Sequence, residues 1–132
     1  MDEYNQFRNN FGGHYHFFDF VDKVVPQDKV KLFYPKFFFS DNPPFVELTI
    51  FSDNNIFIFT QSEEILEVSV IKDFKVKKLG YRKHSAHAVN AIIEISFVSG
   101  DELIFDANLD ATENWQYHLS KIITRIFDTL SM

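Results

Sequence analysis

The clearest pattern along the chain is an apolar stripe at helical spacing in residues 111–130. Asp110 stands where an N-cap is expected, and Glu113, three residues later, completes a capping box. The spacing predicts one long amphipathic helix. Its apolar side consists of Trp115, Leu119, Ile122, Ile123, Ile126 and Leu130. Such a stripe must cover another apolar surface, which the preceding strands can supply.

Much of the middle of the chain alternates apolar and polar residues with the period of two that is typical of β-strands. Residues 56–59 are instead apolar on both faces, which suggests a strand covered on both sides or one side left for a partner. Predicted strands cover residues 29–39, 45–52, 56–61, 65–71 and two segments within 91–107. Pro35 lacks the N–H that a central strand donates, so the first strand is expected at an edge or at a bulge. Residues 53–55, Asp-Asn-Asn, tolerate the positive φ of a tight hairpin loop.

The alternation that begins at residue 65 continues to Val76 and then shifts by one residue, because Leu79 and Tyr81 are the next apolar positions. A shift of this kind within a strand is typical of a β-bulge, which we expect at Lys77-Lys78. The pattern therefore predicts one bulged strand that ends near Tyr81.

The last predicted hairpin keeps its apolar side chains on one face if Ser99-Gly100-Asp101 forms a three-residue loop. That loop pairs Phe97 with Leu103 and Ile95 with Phe105. Gly100 would supply the positive φ that the loop needs.

The N-terminal region divides into two parts. Residues 14–25 place polar side chains on one side at helical spacing, which predicts a short helix against the core that ends before Pro26. Residues 1–13 contain Gly12-Gly13 and no clear pattern, so we expect them to be loosely structured.

The order of these elements predicts an α+β fold. About seven strands form a strongly bent antiparallel sheet or a partly open barrel. The C-terminal amphipathic helix caps these strands, and a short N-terminal helix precedes them in the sequence. Strands do not alternate with helices, which argues against a parallel βαβ sheet. A length of 132 residues fits a single domain, residues 1–132.

This arrangement resembles the pleckstrin-homology-like superfold. The resemblance covers residues 29–130 and is carried by the hairpin of residues 45–61, the bulged strand, the hairpin of residues 92–105 and the helix that bears Trp115. The chain also resembles a small uncharacterised protein family of Gram-positive bacilli. The resemblance implies binding of phosphoinositides, peptides or protein partners rather than catalysis. Lipid-binding members carry basic residues between the first two strands, whereas residues 40–44 here read Ser-Asp-Asn-Pro-Pro.

Composition narrows the function further. A net charge of −6 argues against a general nucleic-acid binder, whose affinity comes mainly from Lys and Arg at phosphates. The chain has 0 cysteines, which excludes disulfides, thiolate metal sites and cysteine nucleophiles. The acidic start of the sequence does not resemble a signal peptide, and no apolar run is long enough to cross a bilayer. We therefore expect a cytoplasmic protein.

Motifs for catalysis or cofactor binding are missing from the sequence. None of the four glycines belongs to a phosphate-binding fingerprint, and no nucleophile with a base can be identified. The pair His14 and His16 with Asp19, like His84 and His87, lacks the further ligands of a metal site. We therefore expect that the protein is not an enzyme and that it binds neither a cofactor nor a metal.

Two groups of residues are candidate binding sites. The first is a basic segment in an otherwise acidic chain, consisting of Lys72, Lys75, Lys77, Lys78, Arg82 and Lys83. It could bind a phosphate, an anionic membrane surface or an acidic partner segment, or it could be a solvated strand edge that resists aggregation. The second is aromatic and includes Phe37 and Phe39, because three consecutive phenylalanines in a strand cannot all point inward.

These observations lead to one hypothesis and two alternatives. The hypothesis is a non-catalytic binding or interaction module that docks a protein partner or associates with itself. The first alternative is a small-ligand carrier or small enzyme with a pocket between the sheet and the N-terminal helix. The second is attachment to an anionic membrane through residues 72–83, although membrane contact is the least favoured of the three.

Overall fold

A computed structural model describes residues 2–38, 45–83 and 90–132 of the chain. Its helices are α1 (Asp2–Asn10), α2 (Tyr15–Val24), α3 (Ala107–Asp110) and α4 (Glu113–Leu130). Its strands are β1 (Leu32–Lys36), β2 (Val46–Phe51), β3 (Ile56–Ser62), β4 (Ile65–Ile71), β5 (Val76–Lys83), β6 (Ala91–Phe97) and β7 (Glu102–Asp106). The predicted α+β class and the seven antiparallel strands are confirmed. These strands form two separate sheets, β1-β2-β3-β4 and β5-β6-β7, and not a closed barrel.

The four-stranded sheet is covered on both faces. One face carries Phe33, which packs against Phe7 of α1 with ring centroids 5.5 Å apart. The opposite face carries Tyr34, whose ring stacks on Phe105 of β7 at 4.1 Å. Because successive side chains of a strand point to opposite faces, β1 contacts both the N-terminal helices and the three-stranded sheet.

The N-terminal segment is helical, so the expectation of a loosely structured segment over residues 1–13 is wrong from Asp2 onward. Tyr4 and Phe7 are buried, with 1% and 5% exposure. Arg8 donates to both carboxylate oxygens of Asp22 in α2, at 2.6 and 2.9 Å. The segment is polar on average, which conceals the two anchoring side chains Tyr4 and Phe7. Phe33 of the sheet, Phe18 of α2 and Phe38 bury them. The predicted helix before Pro26 is confirmed by α2.

Strand β1 lies at the edge of its sheet, as Pro35 predicted. It is shorter than the predicted strand of residues 29–39, because Phe37 has a φ of 70° and turns the chain out of the extended conformation. Phe38 then packs in the core against the rings of α1 and α2.

The predicted continuous strand from residue 65 to Tyr81 is wrong, because a turn divides it between the two sheets. Asp73 in this turn has a φ of 48°. Its N–H donates to Oδ1 of Asn55 at 3.0 Å, and the N–H of Phe74 donates to the carbonyl of Asn54 at 3.0 Å. The β-bulge is confirmed, since the register of β5 shifts between Val76 and Lys78.

The hairpin of β6 and β7 has a register two residues away from the predicted one. Ile95 pairs with Leu103 and Ile93 with Phe105, so both predicted pairs are wrong. A shift of two residues preserves the face on which each side chain lies, so the apolar residues still share the inner face. Gly100 has the expected positive φ, at 98°.

Helix α4 packs against β1, β5 and β6, so it touches both sheets. Its predicted stripe is confirmed at Leu119, Ile123 and Ile126, each with 0% exposure. The predicted N-cap is wrong: Thr112 is the N-cap, and Asp110 ends the short helix α3.

Candidate functional site

The basic segment lies along an exposed strand edge. Among the described residues, β5 is an outer strand of the three-stranded sheet, and one side of its backbone has no neighbouring strand in that sheet. Lys72 and Lys75 lie in the turn before β5, and the remaining four lie on the strand. All six side chains are exposed, and we call Lys72, Lys75, Lys77, Lys78, Arg82 and Lys83 the basic edge.

The charges of the basic edge form a line rather than a cluster. Strand β5 has 8 residues and therefore extends over roughly 25 Å at the usual rise per residue. Lys72 precedes one end of the strand, and Lys83 is at the other. A single phosphate group could not contact both ends at once.

The bulge at β5 distributes these side chains over two faces. Lys78 and Arg82 point to the outer face, where Gly80 lies between them opposite Glu94. Lys83 lies on the same face as Tyr81, toward α4. The Glu94 carboxylate offsets part of the positive charge on the outer face, whereas the free edge of β5 has no facing strand in its sheet.

A shallow groove separates β5 from α4, and we call it the β5–α4 groove. Its volume is about 690 Å³. Tyr81 forms its floor: the Tyr81 hydroxyl is 3.1 Å from Oγ1 of Thr124, and its ring centroid is 5.0 Å from that of Phe127. Lys83 and Lys121 line opposite sides of the groove. The groove therefore joins the basic edge to the exposed side of α4.

The aromatic candidate is less exposed than its sequence suggested. Phe37 is half-buried, and its ring meets that of Phe45 edge-on at 5.1 Å. Phe38 and Phe59 are buried in the core. Phe39 lies outside the described residues. Phe57, whose ring stacks on that of Phe59 at 6.3 Å, is half-buried like Phe37. Of the predicted aromatic face, the structure therefore describes Phe37 and Phe57 as partly accessible next to the buried rings.

The N-terminal histidines lie apart from the basic edge. His14 is half-buried between the rings of Phe11 and Phe38, and this burial lowers its pKa. His16 is exposed beside Tyr15. In residues 2–38, 45–83 and 90–132, no three His, Asp or Glu side chains converge on a possible metal position. His84 and His87 belong to the segment outside the described residues.

A buried polar junction was not predicted from the sequence. Asp110 is only 4% exposed, accepts hydrogen bonds from the Tyr34 hydroxyl at 2.6 Å and the Asp106 N–H at 2.9 Å, and lies 3.9 Å from Nζ of Lys36. The same Nζ is 3.8 Å from Glu47. Burial raises the pKa values of the Asp110 and Glu47 carboxyls, although Lys36 lowers both. We call this set the Tyr34–Asp110 junction, and it ties β1 to the start of the C-terminal region.

A second cavity lies between α1 and α4 and was also not predicted. It has a volume of about 280 Å³ and is more enclosed than the β5–α4 groove. We call it the α1–α4 pocket. The sequence patterns could not predict the α1–α4 pocket, because one of its walls is α1, a segment in which no helix was predicted.

Comparison of the sequence with known protein families identifies the family of this chain. A model described as Protein of unknown function (DUF3908) matches residues 2–121. The chain belongs to the DUF3908 family. The match includes α1, α2, all seven strands and the first half of α4, so the basic edge lies within the family's own region. Searches of the curated proteins and of the solved structures found no match.

One further observation bears on the environment of this DUF3908 member. Among the helices of the described residues, none combines the length and apolar character required to cross a membrane. The longest, α4, carries Lys121, Arg125 and Asp128 on its exposed side.

Proposed function

We propose that this DUF3908 protein is a non-catalytic interaction module that docks an acidic, extended segment of a protein partner along the basic edge. The observation that carries the proposal is the coincidence of a free strand edge with a line of six exposed cations. An extended peptide can add a strand to such an edge, and its main-chain hydrogen bonds supply affinity. Acidic side chains would add complementary charge along the same line.

The β5–α4 groove supports the same mode of binding. A peptide strand beside β5 would place alternate side chains toward Tyr81 and the exposed side of α4. Lys83 and Lys121 border this groove, so acidic side chains on that face of the peptide would also find cations. The peptide would bind to the strand and the helix together.

Pairing of β5 with a second copy of itself is less favourable. Two antiparallel β5 strands would bring Lys78 and Arg82 of each copy close to their counterparts, and like charges on adjacent strands repel. A heterologous acidic partner avoids this cost. The interior beneath α2 leaves no space for a ligand, because Phe17 and Val21 are both 0% exposed there. A groove of about 500 Å³ does lie between α2 and the β3–β4 hairpin, but it is bordered by the exposed side chains of His16, Asp19, Lys23 and Glu64.

The assignment of this fold to a particular superfold is part of the same proposal. Two antiparallel sheets with a C-terminal helix against both resemble the pleckstrin-homology-like superfold, whose members bind lipids, peptides or proteins. The linear arrangement of the basic edge favours a peptide over a single lipid headgroup. A cytoplasmic location and an origin in a Gram-positive bacillus stay predictions.

The test uses a synthetic eight-residue peptide of alternating Glu and Val and ¹⁵N-labelled protein. We expect amide shifts concentrated in β5, with affinity that falls as salt is added. The double variant Lys78→Glu/Arg82→Glu should weaken binding by about tenfold or more, since each lost charge-assisted contact costs roughly 1 kcal/mol. The matched control Lys23→Glu/Lys29→Glu changes the net charge equally at exposed sites away from β5.

Three further measurements separate the alternatives. A peptide N-methylated at every residue has no backbone N–H to donate to a strand edge, so equal binding of this peptide would contradict β-strand addition. Sedimentation with phosphatidylserine vesicles, combined with no peptide binding, would favour the membrane alternative and overturn the proposal. A dimer by light scattering that Lys78→Glu/Arg82→Glu dissociates would favour self-association instead.

A further inference from the structure

The α1–α4 pocket combines an apolar floor with polar walls. Its floor consists of the buried residues Phe7, Phe33, Pro35 and Ile122. Three of them keep a small accessible fraction, between 5% and 8%. A volume of about 280 Å³ lies at the lower end of the range of ligand pockets, about 300–1,000 Å³. The pocket therefore suits a small molecule and excludes a folded partner.

The α4 wall supplies an aromatic surface and positive charge. Trp115, His118, Lys121 and Arg125 follow one another at intervals of three or four residues, so they project on the same side of the helix. The Trp115 ring meets that of His118 edge-on at 6.1 Å, and 42% of the Trp115 side chain is exposed. An indole beside an apolar floor favours a planar ligand.

The α1 wall adds Gln6 and Asn10, whose amides can donate and accept hydrogen bonds. Among the described lining residues, Glu3 supplies the charge of this wall and forms an ion pair with Arg125, which joins the two helices at the rim. This pair leaves Arg125 with further N–H donors, because a guanidinium has five. Among the described residues, the lining therefore carries two cations and one carboxylate, in a chain of net charge −6.

We propose that the α1–α4 pocket binds a small, planar, anionic molecule such as an aromatic carboxylate. Its ring lies over Phe33 and Ile122 beside Trp115, and its charged group faces Arg125 and Lys121. The flexible Lys121 side chain, whose Nζ is 4.9 Å from the centre of the Tyr117 ring, can reach the rim of the pocket. This site is separate from the free edge of β5 and does not depend on peptide docking.

The chain contains one tryptophan, so the fluorescence of Trp115 reports on this pocket directly. Benzoate, benzamide and benzylammonium share a phenyl ring and carry an anionic, a neutral and a cationic group, respectively. We expect a saturable fluorescence change with benzoate, about fivefold weaker binding of benzamide, as for one lost charge-assisted contact, and weaker binding still of benzylammonium. Equal affinities for the three probes, or no saturable change with any of them, would overturn the proposal.

Two variants of exposed α1 residues locate the binding. Gln6→Phe fills the pocket and should weaken benzoate binding by about tenfold or more. Asn9→Phe adds the same ring to α1 at an exposed position outside the lining and should leave it unchanged. Circular dichroism and the melting temperature check that both variants fold. Benzoate binding that is unchanged in Gln6→Phe would contradict binding in this pocket. The variant Lys78→Glu/Arg82→Glu should weaken peptide docking and leave benzoate binding unchanged.

Discussion

The hydroxyl of Tyr34 donates a 2.6 Å hydrogen bond to Oδ2 of Asp110, which is 76 residues away in the sequence. Tyr34 belongs to the first strand of one sheet, and Asp110 follows the last strand of the other. The Phe37 N–H donates to the backbone carbonyl of Asp110 at 2.9 Å, so side chain and main chain make the same connection. This connection positions the start of α4, on which both proposed binding sites depend.

Tyr34→Phe should destabilise the protein by about 1–3 kcal/mol, because it removes a donor from a buried carboxyl group. Urea unfolding measures this change in the free energy of unfolding. The matched control Tyr15→Phe alters an exposed hydroxyl and should stay within about 0.5 kcal/mol. Equal effects of the two variants would contradict a stabilising role for the Tyr34–Asp110 junction.

The junction also predicts a pH dependence. Burial raises the pKa values of Glu47 and Asp110 in the folded state. The folded protein therefore binds more protons than the unfolded chain at mildly acidic pH. This contribution to stability is complete below the unfolded pKa values and is lost as the pH rises through the folded ones.

Glu47→Gln tests this sign, because the neutral amide removes one of the two titrating groups. The free energy of unfolding of the variant minus that of the native protein should become more positive from about pH 4.5 to about pH 7.5. Glu102→Gln, at an exposed position of β7, serves as the control. A difference for Glu47→Gln that does not change with pH would show that its carboxyl is not perturbed.

Helix α1 should contribute directly to stability. Phe7 contacts the rings of Phe18, Phe33 and Phe38, so Phe7→Ala should cost about 3–5 kcal/mol through the cavity it leaves. Asn9→Ala on the exposed side of the same helix should change little. Thermal unfolding distinguishes the two. A loosely structured N-terminus would instead give equally small effects.

Gly100 should be more sensitive to substitution than Gly12. Its φ of 98° is strained for any residue with a Cβ, although no atom lies near the position of that Cβ. Gly100→Ala is therefore expected to destabilise by about 1 kcal/mol or more, purely through the backbone. Gly12→Ala also meets no atom within 4 Å and has no positive φ, so it is a matched control whose stability should be unchanged or higher. Chemical denaturation of both variants compares them.

The local sequence pattern was sufficient to predict those helices and strands in which the spacing of apolar side chains repeats within one segment. The stripe of α4, the alternation of β2 and β6 and the phase shift at the β5 bulge each follow from the spacing of neighbouring side chains. Pro35 predicted an edge strand because its missing N–H is a property of the residue itself. The line of cations on β5 was likewise visible in the sequence.

Tertiary contacts decided the rest. Tyr4 and Phe7 anchor α1 to the core only because Phe33, Phe18 and Phe38 lie against them. Asp110 does not have its predicted capping role, because Tyr34 and Lys36 lie beside it. The division of residues 65–81 between two sheets depends on hydrogen bonds to Asn54 and Asn55 of another hairpin. Periodicity records which side of an element is apolar, whereas burial, pockets and polar junctions arise between elements far apart in sequence. The sequence alone therefore determined the class of the fold and the basic edge, and only the tertiary structure decided where the groove and the pocket lie.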